Sequence, residues 1–161
     1  MTGVNIQVDA NPARLNAYMK RIEGLSLRAA DPAPALEEIY RKFLLTERGI
    51  FASQGGTRKW APLTAKYLRR KTARGYDPRI ERRTGALAAA LTTGKGAGAV
   101  KEITPEGMTF GTNLHQAIYA QRGSGRKRRR LITADARRRN QWVGILRKYL
   151  LENQADTGGD E

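Results

Sequence analysis

Apolar and polar positions alternate with period two at the start of the chain, where Val4, Ile6 and Val8 are separated by Asn5 and Gln7. That spacing predicts a half-buried strand. Asn11-Pro12 then supplies an N-cap and a proline at the first helical position, where its missing N–H costs nothing. Behind it Leu15, Tyr18, Met19 and Ile22 fall on one helical face. Asp31-Pro32-Ala33-Pro34 breaks the chain, and a second amphipathic helix carries Leu36, Ile39, Tyr40, Phe43 and Leu44.

From Gly49 to Pro62 the helical period is lost, and Gln54-Gly55-Gly56-Thr57 predicts a turn. Leu63, Tyr67 and Lys71, spaced by four, predict a helix. The polar stretch from Lys66 to Arg83 surrounds Gly75-Tyr76-Asp77-Pro78 and is expected to form a flexible, exposed Arg-rich loop near 69–83. Thr84-Gly85 opens a short helix with Leu87 and Leu91, and Gly94 to Gly98 is a connector. Val100 and Ile103, the turn Thr104-Pro105-Glu106-Gly107, then Met108 and Phe110 predict a β-hairpin. A helical piece with Ile118, Tyr119 and Ala120 ends near Gly123. Thr133 is the expected cap of a last helix, which repeats Trp142, Ile145, Leu146, Tyr149 and Leu150 on one face.

These elements define an α+β fold: several helices packed on a small antiparallel sheet, in a single domain over residues 1–152. An acidic tail, 153–161, is expected to be disordered. The expected core joins the helices at Leu15–Ile22, Leu36–Leu44 and Trp142–Leu150 to a sheet including Val100–Phe110.

Charge changes the picture next. Among 161 residues, 30 Lys+Arg stand against 15 Asp+Glu, a net charge of +15, which attracts polyanions and says nothing of fold. Arg69-Arg70-Lys71, Arg126 to Arg130 and Arg137-Arg138-Arg139 are the main clusters, with Arg79, Arg82 and Arg83 a fourth. Nucleic acid, an acidic protein surface, or both are the partners that fit. Recognition of base sequence is not expected, because the clusters lack interleaved stacking aromatics.

Candidate chemistry is sparse. No cysteine is present, which removes disulfides, thiolate catalysis and Cys-based zinc sites. His115 is the single histidine, and Ser26, Ser53 and Ser124 lie in no nucleophile motif. Glu37-Glu38 reads as a solvated pair facing Arg41 and Lys42. Gly94-Lys95-Gly96-Ala97-Gly98 lacks the spacing of a phosphate loop. The residues therefore predict no enzyme, cofactor or metal. The N-terminus has no signal-peptide pattern and no window reaches the roughly 18 apolar residues of a membrane span, so a soluble protein made in a cytoplasm is expected.

The order of motifs is more informative than any one of them. Phe51, Gln54-Gly55-Gly56, Trp60-Ala61-Pro62-Leu63, Tyr67 and Lys71 are followed by Arg83-Thr84-Gly85-Ala86-Leu87. Phe110-Gly111-Thr112-Asn113, then Tyr119-Ala120-Gln121-Arg122-Gly123, and finally Arg130-Leu131-Ile132 complete the series. This series resembles the phage virion morphogenesis (tail-completion) family over residues 36–151. Two places differ: Arg128-Arg129-Arg130-Leu131 replaces a proline-rich stretch, and Glu81 stands where the family has leucine.

The resemblance implies a structural virion protein of a tailed bacteriophage, a subunit of a homo-oligomeric ring, commonly a hexamer, at the head–tail junction or the head-proximal end of the tail. It implies neck, connector and tail proteins as neighbours, with genomic DNA in the lumen. It assigns structural roles to Gly55, Trp60, Pro62, Leu63, Thr84, Gly85, Leu87, Gly111, Thr112, Tyr119, Ala120 and Gly123. Trp60 and Pro62 are expected to fix a turn, Gly85 to allow close helix packing, and Gly111 to end a strand. Arg126, Lys127, Arg128, Arg129, Arg130, Arg137 and Arg138 are the candidates for contact with an acidic protein face or DNA. A small basic nucleic-acid-binding protein is the alternative.

Overall fold

The computed structural model describes residues 12–123 and 128–151. The expected strand at Val4–Val8, the side chains of Arg126 and Lys127, and the acidic tail lie outside the described residues. What is described is a single α+β domain, with six helices and one two-stranded antiparallel sheet among the described residues.

Helix α1 (Pro12–Ala30) begins at the proline that predicts it, yet it buries no residue. Leu15, Tyr18, Met19 and Ile22 are 56–63% exposed, so this apolar face is not part of the core as the pattern led one to expect. The reason is tertiary. The break at Asp31-Pro32 carries α1 off the body, and its principal neighbour is the last helix, α6 (Ala136–Leu151). Arg28 Nε donates to the Leu150 carbonyl at 3.0 Å and Tyr149 Oη to that of Asp31 at 2.8 Å.

Helix α2 (Ala33–Ala52) forms the spine. It runs through Gly49, where the sequence pattern had lost its period. A mid-helix glycine costs about 1 kcal/mol, and burying Ile50 and Phe51 behind it returns roughly 1.5–3 kcal/mol each. Burial wins. The chain then reverses at Gln54-Gly55, both with positive φ. A Cβ on Gly55 would lie 2.5 Å from the Arg58 carbonyl oxygen, so only glycine fits this turn.

Helix α3 (Ala65–Ala73) is capped by Thr64, whose hydroxyl accepts from the Tyr67 N–H at 3.3 Å. Helix α4 (Ala86–Thr92) packs on α2, with Leu87, Ala88, Ala90 and Leu91 buried. Gly85 precedes it at φ 82°. A Cβ there meets nothing within 4 Å, so Gly85 serves a left-handed backbone and not the close packing expected of it.

Strands β1 (Ala99–Thr104) and β2 (Gly107–Thr112) pair with Ile103 opposite Met108 and Thr104 opposite Gly107, closing a two-residue turn at Pro105-Glu106. Gly111, one residue before the end of β2, is buried at φ 147°. Helix α5 (His115–Arg122) ends at Gly123 in a positive-φ conformation.

The core is centred on α2 and α4. Tyr40, Phe43, Ile50, Phe51, Leu87 and Leu91 meet Trp60 and Leu131 from the connecting segments. Phe51 and Trp60 pack edge to face with centroids 5.3 Å apart, and Phe43 lies 4.5 Å from Phe110 of the sheet. Helix α6, expected in the core, buries no residue fully. Its Trp142 reaches Phe110 edge-on at 5.7 Å but stays half-buried, because α2 and α4 already cover the narrow two-stranded sheet.

Candidate interaction surface

Over the residues described, 128–133, the Arg-rich run after Gly123 is held at its backbone. The Arg129 N–H donates to the Ala120 carbonyl at 2.9 Å, and the Gln121 side chain accepts from the N–H groups of Leu131 and Ile132 while donating to the Ile132 carbonyl. Trp60 Nε1 donates to the Arg130 carbonyl at 3.1 Å.

Side chains therefore alternate. Arg129 and Leu131 turn inward, while Arg128 and Arg130 are exposed. Arg129 is spent on an ion pair with Glu81 at 2.9 Å and a bond to the Ala61 carbonyl at 3.3 Å. It braces this segment against the body while lining a cleft. Glu81 sits at the position where the resembled family has leucine, and the pair explains how a carboxylate is tolerated there.

Arg138 is also held inward. Its Nη1 donates to the Thr133 carbonyl at 2.6 Å and approaches Glu47 Oε1 at 3.4 Å. Glu47, on the buried face of α2, is 0% exposed, and its Oε2 has no hydrogen-bond partner. Burial pushes its carboxyl up to about 7 against the opposing pull of Arg138. Nothing in the α2 pattern set Glu47 apart from its solvated neighbours; only its i+4, i+3 spacing from Phe43 and to Ile50 marked the buried face. Asp135, not Thr133, caps α6: its Oδ1 accepts from the Arg138 N–H at 2.9 Å. Arg137 and Arg139 stay exposed.

Other cationic groups are likewise engaged internally. Lys71 is 4% exposed and donates through Nζ to the Arg79 carbonyl, and desolvation lowers its pKa. Arg79 pairs with Asp77 at 2.7 Å, holding that carboxyl down at about 2. Arg82 and Arg83 lie over the rings of Phe51 and Tyr76. With Ile80 buried as well, the 69–83 stretch is a folded part of the body, and Arg69-Arg70-Lys71 belongs to α3. Glu37 pairs with Lys101 of β1 instead of the helix neighbours expected for it. His115 is exposed and packs edge-on against Tyr119.

Two clefts result. One, of about 670 Å³, brings together Pro62, Leu63, Tyr67, Thr84, Gly85 and Leu87, residues from separate motifs of the series singled out in the sequence. Trp60, Ala120 and Gly55 lie in or beside the core instead, and Thr112 and Tyr119 line neither cleft. The second cleft, of about 550 Å³, lies between the turn after α2 and the start of α6. Arg58, Lys59, Arg128, Arg130 and Arg138 line it against one carboxylate, Asp135.

Among the described residues no group of three or more His, Asp or Glu is placed to hold a metal ion, and no helix is long and apolar enough to cross a membrane. No family model, curated protein or solved structure matches the chain.

Proposed function

We propose that this chain is a structural virion protein of a tailed bacteriophage: a neck or tail-completion subunit that assembles as a ring, caps the tail and joins it to the DNA-filled head. The motif series supports the family, and the observation that carries the structural role is α1. A 19-residue helix that buries nothing and leaves Leu15, Tyr18, Met19, Ile22 and Leu27 each more than half exposed is a surface made to be covered. A subunit that works by presenting a shape has this use for it.

The test is assembly. The purified chain is expected to form closed rings, six subunits being the expected number, by light scattering and electron microscopy, and to be found by mass spectrometry in purified particles. A chain that stays monomeric at high concentration and is missing from particles would overturn the reading. The five-cation cleft favours a second reading, a small nucleic-acid-binding protein. Tight binding of random-sequence duplex DNA by the monomer, with a steep salt dependence, would select it.

A further inference from the structure

We propose that the basic cleft receives the acidic turn end of the β-hairpin, Glu102 and Glu106, from a second copy of the chain, so that subunits join head to tail. The inference rests on the ring reading and names the contact that would close the ring.

The carboxylates of the described residues can be accounted for one by one. Glu37, Glu47, Asp77 and Glu81 are in ion pairs within the molecule. Asp31 and Asp135 accept from backbone N–H groups. Glu23, Glu38, Glu102 and Glu106 remain exposed and outside these ion pairs. Of these, only Glu102 and Glu106 share one short structure, the turn end of the hairpin. On a chain of net charge +15 this is the described acidic surface a second copy would seek.

The cleft is its complement. Lys59 and Arg128 each have one nitrogen tied to a backbone carbonyl, of Ser53 and Gln121, which fixes the side chains without neutralising them. The side chains of Arg58 and Arg130 make no hydrogen bond or ion pair among the described residues. These cations surround a concavity with Ile50 and Trp60 among its walls. A DNA duplex is a convex cylinder about 20 Å wide and would meet ridges, whereas a hairpin end enters a cleft. Arginine also matches a carboxylate with two parallel hydrogen bonds.

Neither Glu102 nor Glu106 lines the cleft of its own protomer. The end of the hairpin nearest the 128–133 segment is the one opposite the turn, since a Cβ on Gly111 would sit 3.6 Å from Ile132 Cδ1. The two surfaces are different patches of one protomer, so their pairing is heterologous, the kind of contact that generates a ring where the rotation closes.

Charge reversal tests it. E102K/E106K and R58E/R130E are each expected to weaken assembly at least tenfold by light scattering at physiological salt, with circular dichroism unchanged. Mixing the two variants allows alternating rings in which one contact has its charges exchanged and the next is native, and assembly is expected to return. Because the chain has no cysteine, E106C with R130C is also expected to cross-link between protomers under oxidation. If the wild-type chain forms rings and both reversals form them equally well, the inference is wrong while the ring reading stands. If R58E/R130E loses DNA binding but keeps the rings, the cleft is a polyanion site and the inference is again overturned. A wild-type chain that never assembles removes both.

Discussion

Glu47→Gln isolates the most unusual electrostatic feature of the molecule. The carboxyl is fully buried on α2, its one charged neighbour is Arg138 at 3.4 Å, and one of its oxygens has no partner. That distance is longer than the 2.7–2.9 Å of a strong charge-assisted bond, so desolvation outweighs attraction and the carboxyl titrates at about 7 against an ordinary 4.5. Between those values the folded chain retains a proton that the unfolded chain has released. Stability therefore falls as pH rises through this window, is unaffected below it, and levels off above it.

A displacement from 4.5 to about 7 corresponds to about 3 kcal/mol at 1.36 kcal/mol per pH unit. Glutamine keeps an acceptor for Arg138 and removes the ionisation. Urea unfolding of both proteins between pH 5 and pH 8.5 should show wild-type stability declining by about 3 kcal/mol relative to the variant. The variant should lie close to wild type at pH 5 and exceed it at pH 8. Parallel profiles would refute the argument and place Glu47 in contact with solvent.

Leu131→Ala should cost about 2–5 kcal/mol because Leu131 is 1% exposed in the core. Trp142→Ala should cost only about 2 kcal/mol, below the 3–5 kcal/mol of a buried tryptophan, because Trp142 is half-buried; equal or reversed losses in denaturant unfolding would put α6 in the core after all. Gly85→Ala should destabilise by roughly 1–2 kcal/mol through its left-handed backbone, and Gly85→Asn by less; since a Cβ has open space there, a loss much larger than this would point to packing. Leu15→Asp with Met19→Asp should change folding stability by no more than about 0.5 kcal/mol, as exposed substitutions do, and should abolish assembly; unaltered rings by light scattering would show that α1 faces solvent in the assembled state.

Local physics along the chain was enough for most elements. Pro12 as a helix start, the turn forced by Gln54-Gly55, the helix opened at Thr84-Gly85 and the hairpin around Pro105-Glu106 each follow from a backbone preference or a spacing that acts over a few residues. The α+β class follows from them. Periodicity does not say what covers an apolar face, and that was decided by tertiary structure. The stripes on α1 and α6 look as core-forming as that on α2, but a two-stranded sheet has room for α2 and α4, and the outer helices are left half-covered or bare. Isolated apolar residues in polar surroundings, Ile80 and Leu131, carry no periodic signal and were placed in the core by long-range contacts. The same holds for charge. Sequence shows where the arginines are, but only the fold pairs Arg129 with Glu81 and Arg138 with Glu47 while leaving Arg58 and Arg130 to face a cleft outside these ion pairs.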